Sequence, residues 1–81
     1  MTYEWVILDT ETTGITPPIH VVEVAAQRMV GAEPDGDPFS CLINHDIEIP
    51  DASSRIHGYT RDILERDGLL PKEAYEALGE F

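Results

Sequence analysis

The sequence reads as an α/β chain, with a three-stranded antiparallel meander in its first half and helices in its second. Three observations predict this. Trp5-Val6-Ile7-Leu8 is a continuous apolar run too short for a helix. Val21 to Val30 and Phe39 to Asn44 are strand-like stretches flanking a segment dense in turn formers. After Pro50 the apolar residues fall at helical spacing.

In chain order, the run ending at Asp9 has the pattern of a strand buried on both faces, and so of a central strand. Gly14 and Pro17-Pro18 interrupt regular structure, and β-branched residues resume from Val21 to Val30. The segment Gly31-Ala32-Glu33-Pro34-Asp35-Gly36-Asp37-Pro38 is expected to turn the chain into the third strand. A short helix is expected around Ser53 to Ile56, and a second from an N-cap at Thr60 to about Asp67, ended by Gly68. Pro71 suits a first helical position, and Ala74, Ala77, Leu78 and Phe81 begin the apolar face of a last helix.

At 81 residues the chain is one domain at most, and a core of this size buries only about 60% of the surface that the unfolded chain exposes. Its 42% hydrophobic and 26% charged residues are those of a folding chain rather than a disordered tail. The 16 acidic residues against 5 basic ones, a net charge of -11, exclude a basic groove for a polyanion, so any contact with nucleic acid has to run through divalent cations. Cys41 stands alone, which excludes an intrachain disulfide and a cysteine metal cage. The start Met1-Thr2-Tyr3-Glu4 lacks the basic and apolar regions of a signal peptide, and no apolar run reaches membrane-spanning length, so the expected location is the cytoplasm with no membrane partner.

The chemistry is concentrated in Asp9-Thr10-Glu11-Thr12-Thr13-Gly14, at the end of the first strand. In an extended chain residues two apart face the same way, which puts the Asp9 and Glu11 carboxylates side by side, roughly 6.6 Å apart at Cα. Two such anions without a basic partner call for a hard cation such as Mg²⁺ or Mn²⁺. The hydroxyls and backbone N–H groups of Thr12, Thr13 and Gly14 follow in a turn that can reach a phosphate or sugar. A bare Asp-x-Glu would more often be a solvated strand end; the whole hexapeptide behind an apolar strand favours a site.

Val6-Ile7-Leu8-Asp9-Thr10-Glu11-Thr12-Thr13-Gly14 resembles the first exonuclease motif of the DEDD, DnaQ-like family of 3′-to-5′ exonucleases, which includes the epsilon-type proofreading subunits of DNA polymerase III. Val21-Val22-Glu23-Val24-Ala25-Ala26 is similar to the family's I-I-E-I-G-A strand, Ile56-His57-Gly58-Tyr59-Thr60 to its H-G-I-T segment, and Pro71 through Phe81 to the helix that follows. The resemblance implies a ribonuclease H-like fold, with residues 1–81 as the N-terminal portion of a single, incomplete exonuclease domain. It implies Asp9 and Glu11 as catalytic ligands of two Mg²⁺ or Mn²⁺ ions, which together drive hydrolysis of a single-stranded 3′ end to nucleoside 5′-monophosphates. It implies substrate contacts by Thr10, Thr12, Thr13, Gly14, Ile56 and His57, and a DNA polymerase as partner.

The family's later carboxylates and its general base match nothing in this chain, so the expectation for the isolated chain is negligible hydrolysis. Truncation also leaves the first strand an unpaired edge, from which self-association or domain swapping is expected. The alternative function is a non-catalytic, nuclease-like binding module. A calcium loop at Asp35-Gly36-Asp37 is a poor fit, because the triplet lacks the ligand spacing of such loops. Glu23 is given no catalytic role, His20 and His45 are read as ordinary surface or edge residues, and Cys41 as a small buried hydrophobe.

Overall fold

The computed structural model describes residues 3–14 and 17–81. The irregular stretch expected between Gly14 and Pro17 falls in part on residues 15 and 16, outside the described residues. Four strands, β1 (Glu4–Thr12), β2 (Val21–Val30), β3 (Glu33–Pro34) and β4 (Phe39–Leu42), precede three helices, α1 (Asp51–His57), α2 (Arg61–Asp67) and α3 (Pro71–Glu80). All strand pairings are antiparallel.

The β-branched run of β2 makes it the centre of the sheet. β1 lies along one edge of it, while β3 and β4 share the other, β3 opposite Met29 and Val30 and β4 opposite Glu23 to Ala26. Two expectations are corrected here. The sheet has four strands rather than three, because Glu33 and Pro34 pair briefly with β2 before the chain turns at Gly36. The strand from Phe39 ends at Leu42, not Asn44, because the Asn44 N–H turns to the Leu69 carbonyl (2.8 Å) and Ile43 enters a parallel bridge to Leu69.

The first strand is also not the central, doubly buried strand that its apolar run suggested. Among the described residues it pairs only with β2, so Trp5, Val6, Ile7 and Leu8 stay 45% to 56% exposed. Its composition is suited to cover on both faces, and within these residues there is too little chain to provide it.

The helices begin and end where local chemistry dictates. α1 spans one residue more than expected at its C-terminal end and two more at its N-terminal end, and stops at Gly58, whose φ of 80° lets its N–H reach the Ser54 carbonyl. The Thr60 side chain caps α2, accepting from the Ile63 N–H. Pro71 opens α3, and the Leu70 N–H ahead of it donates to the Glu73 carboxylate. α3 lays Ala74 and Leu78 against Val24, Ile43, Phe39 and Cys41, and Leu64 of α2 joins Val22 and Ile49 in a second cluster. Among the described residues no helix is long and apolar enough to cross a membrane.

Candidate active site

Strand alternation and the β1–β2 register build the site. Asp9 stands opposite Ala25 and Glu11 opposite Glu23. Opposed residues of an antiparallel pair share a face, with Cβ atoms about 5 Å apart, so Asp9, Glu11 and Glu23 project together. None of the three takes part in an ion pair among the described residues. Thr10, between the two β1 carboxylates, falls on the opposite face.

Glu23 is not a free anion. Tyr59, in the turn after α1, donates its hydroxyl to Glu23 Oε2. That bond, with burial and the charges of Glu23 and Glu11, pushes the Tyr59 hydroxyl up to about 12, so it remains a donor at neutral pH. Burial, followed by the charge of Glu23, raises the Cys41 thiol above its ordinary value. Cys41 is half-buried against the Val24, Ile43 and Ala74 cluster, as a small hydrophobe would be.

After Glu11 the register slips, and the chain leaves the sheet through a tightly tied turn. Thr12 Oγ1 accepts from the Gly14 N–H (3.2 Å). The Thr13 N–H donates to the His20 carbonyl (2.9 Å), and the His20 N–H donates back to Thr13 Oγ1 (3.0 Å). Ser53 Oγ of α1 donates to the Thr13 carbonyl at 2.6 Å. The Thr13 hydroxyl is thus engaged in closing the turn, and the residue is buried. Gly14 has a φ of +122°, and a Cβ there would stand 3.0 Å from Ser53 Oγ, so a side chain would be strained by the backbone and would crowd Ser53.

The turn and α1 border an open cavity of ≈ 650 Å³ lined by Thr13, Gly14, His20, Ile47, Ser53 and Ile56, among others. Ile56 is 83% exposed, an apolar side chain held open at the cavity. His57 does not line it. Its ring stacks on Tyr59 at 5.2 Å, and its Nδ1 accepts from the Tyr59 N–H at 3.0 Å, which leaves the proton on Nε2 in the neutral ring.

His20 and His45 are more than the ordinary surface or edge residues that their positions beside strands suggested. Their rings meet at 4.8 Å, and the His45 Nε2–H donates to the Val21 carbonyl at 2.8 Å. The two hydrogen bonds between Thr13 and His20 draw His20 in, the bond to the Val21 carbonyl holds His45, and strand-flanking position alone carries no signal of either.

The donor set fits a divalent cation in part. Asp9 and Glu11 offer hard, unpaired oxygens on one face with Asp9 exposed, which is the chemistry Mg²⁺ and Mn²⁺ select. Among the described residues no three His, Cys, Asp or Glu side chains converge to cage an ion, so the pair forms part of a coordination shell rather than the whole.

Comparison with known proteins places this arrangement. The RNase T exonuclease family model matches residues 6–81. The chain is 37% identical over 62 residues to DNA polymerase III subunit epsilon of Rickettsia typhi, covering 74% of this chain and 27% of that protein. It is 42% identical over 63 residues to a DNA polymerase III subunit epsilon-like protein of Rhodobacter capsulatus, covering 74% and 9%. It is 34% identical over 76 residues to the PolC-type DNA polymerase III of Thermotoga maritima, covering 93% and 6%. The chain therefore spans about a quarter or less of the length of these relatives. Exonuclease I from Methylocaldum szegediense shares the fold, with a TM-score of 0.83 at 22% identity over 95% of this chain and 17% of that one. The sheet with its helices is part of a ribonuclease H-like exonuclease fold, and the chain belongs to the exonuclease family, on its DnaQ-like, DNA polymerase III epsilon-related branch.

Proposed function

We propose that these residues are the N-terminal portion of a single 3′-to-5′ exonuclease domain, acting on a single-stranded 3′ end and releasing nucleoside 5′-monophosphates. The observation that carries this reading is the Asp9–Glu11 pair, set on one face of β1 without a cationic partner among the described residues and followed directly by the turn that walls the ≈ 650 Å³ cavity. That volume lies in the range of nucleotide-sized ligand sites.

Asp9 and Glu11 would hold Mg²⁺ or Mn²⁺, two ions in the complete domain. Bound there, the ions supply charge neutralisation for the phosphodiester and for the departing 3′ oxygen. The chain's own residues do the rest. Gly14 leaves the backbone bare at the cavity mouth, Ile56 offers apolar surface to a terminal base, and the tied turn of Thr12 and Thr13 holds that wall in place, whereas Thr10, on the other face of β1, and His57, stacked on Tyr59, lie away from the cavity. With a net charge of -11, the chain has no other means of attracting a polyanion than its cations. The kinship with polymerase III subunits supports a DNA polymerase partner and a cytoplasmic location.

Among the described residues there is no full ligand shell, so the isolated chain is expected to bind Mn²⁺ weakly without shortening an oligonucleotide. Mn²⁺ titration followed by electron paramagnetic resonance, together with a 5′-labelled single strand, tests this. Asp9→Asn should abolish the bound-ion signal while leaving the circular dichroism unchanged. Binding that survives Asp9→Asn refutes the ligand assignment, and trimming by the 81-residue chain refutes its inactivity. In a longer protein containing these residues, Asp9→Asn should stop trimming. Metal-dependent oligonucleotide binding without trimming there would favour a non-catalytic module.

A further inference from the structure

Where the family resemblance reads His-Gly-Ile-Thr, this chain has His57-Gly58-Tyr59-Thr60. The tyrosine is fixed at three points. Its carbonyl accepts from Ser54 Oγ (2.7 Å), its N–H donates to His57 Nδ1 (3.0 Å), and its hydroxyl donates to Glu23. Its ring also stacks on His57 and packs beside Val22, Ile49 and Leu64. Such a residue is not free to follow Glu23; Glu23 is turned toward it.

That matters because of what Glu23 faces. It is the direct cross-strand partner of Glu11, and with Asp9 it would complete three carboxylates on one face of two adjacent strands. Three hard-oxygen donors bind a divalent ion more tightly than two, and a carboxylate already accepting a hydroxyl proton is a poorer ligand than a free one. Isoleucine at position 59 would have no hydroxyl to make this bond.

Building on the proposal that Asp9 and Glu11 hold the cation, we infer that Tyr59 is a positioning residue that keeps Glu23 out of the metal shell and so limits these strands to two ligands. The arrangement leaves the remaining coordination positions of the ion open to substrate and to ligands from outside these residues. Tyr59 acts through Glu23 and touches neither ion nor nucleotide.

The test is Mn²⁺ titration of the 81-residue chain as wild type, Tyr59→Phe, Glu23→Gln, Tyr59→Phe with Glu23→Gln, and Asp9→Asn. Phenylalanine keeps the ring packing and deletes only the hydroxyl. Tyr59→Phe should tighten Mn²⁺ binding by about tenfold, the double variant should return to the wild-type value, and Glu23→Gln alone should change it less than threefold. Equal affinity in wild type and Tyr59→Phe overturns the inference, as does a Glu23→Gln loss as large as that of Asp9→Asn, which would make Glu23 a ligand already. A tightening in Tyr59→Phe that persists in the double variant also overturns it, since Glu23 would not be its cause. Loss of binding in Asp9→Asn reports separately on the ligand assignment. If no variant binds Mn²⁺, that assignment fails and the metal role of Tyr59 with it. The Tyr59–Glu23 bond stays measurable in the metal-free chain, where proton NMR should show a downfield, slowly exchanging hydroxyl resonance that Glu23→Gln removes.

Discussion

The Tyr59–Glu23 bond sets a stability change with pH that can be worked out in advance. The hydroxyl, ordinarily at 10.0, is held at about 12, first by its bond to Glu23, then by burial and by the charges of Glu23 and Glu11. Its proton is therefore bound more tightly in the folded chain than in the unfolded one. Stability from this group is fully present below pH 10, falls as the unfolded chain ionises, and is gone once pH passes about 12. A separation from 10 to about 12 corresponds to roughly 2.7 kcal/mol at about 1.36 kcal/mol per pH unit. Tyr59 and Glu23 are only part-buried, and Glu23 regains water when the bond is lost, so the screened value is about 1 to 1.5 kcal/mol. Urea denaturation of wild type and Tyr59→Phe at pH 8, 9, 10, 11 and 12, followed by circular dichroism, isolates the term, because other alkaline titrations are common to both chains. Wild type should exceed Tyr59→Phe by about 1 to 1.5 kcal/mol at pH 8 and 9, with the gap closing toward pH 12. A gap that stays constant across this range, or widens, refutes the assignment of the raised hydroxyl to its bond with Glu23.

The remaining perturbations address the core, the turn and the open edge. Ile43, fully buried between Val24 and Ala74, should cost about 3 kcal/mol as Ile43→Ala, enough to leave so small a core largely unfolded by thermal circular dichroism. Gly14→Ala should lose roughly 1 to 3 kcal/mol from backbone strain and from the new Cβ at 3.0 Å from Ser53 Oγ, read as a lowered urea midpoint. The 81-residue wild-type chain should self-associate with rising concentration in sedimentation velocity, because β1 presents both unpaired backbone groups and the half-exposed Val6, Ile7 and Leu8. Leu8→Lys should return it toward monomer at a stability cost within about 0.5 kcal/mol.

Local signals gave accurate element boundaries where one residue type had only one use. Pro71 opens α3, Thr60 caps α2 and Gly68 follows its end, each for a reason confined to a single turn of chain. β2 was legible end to end, because its β-branched run is bounded by turn residues. The reading failed where an element's fate depends on what lies beside it. Val6-Ile7-Leu8 has the composition of a central strand, but composition reports the cover a strand is suited to, not the cover these residues supply. The pairing of Glu33 and Pro34 with β2 was hidden by their turn-forming neighbours. The candidate site divides the same way. The shared face of Asp9 and Glu11 follows from the two-residue period of a strand, whereas the Tyr59–Glu23, Ser53–Thr13 and Thr13–His20 bonds join residues 36, 40 and 7 positions apart with no periodic signature.

Those long-range bonds explain why the site can be partly formed in so marginal a chain. The carboxylate pair needs only the β1–β2 ladder, since register alone sets which side chains share a face. The cavity needs α1, and α1 is joined to the end of β1 by Ser53 Oγ on the Thr13 carbonyl and, through the Gly58 turn, by Tyr59 on Glu23. One bond ties the helix to the motif strand and the other to its neighbour in the sheet. Displacement of α1 would therefore disturb the turn beside Glu11 and the anion opposite it together. The carboxylate pair and the cavity are coupled through these two hydrogen bonds, with Tyr59 also packed beside Val22, Ile49 and Leu64, which is how a sheet whose β1 is half-exposed on both faces can still hold both in register.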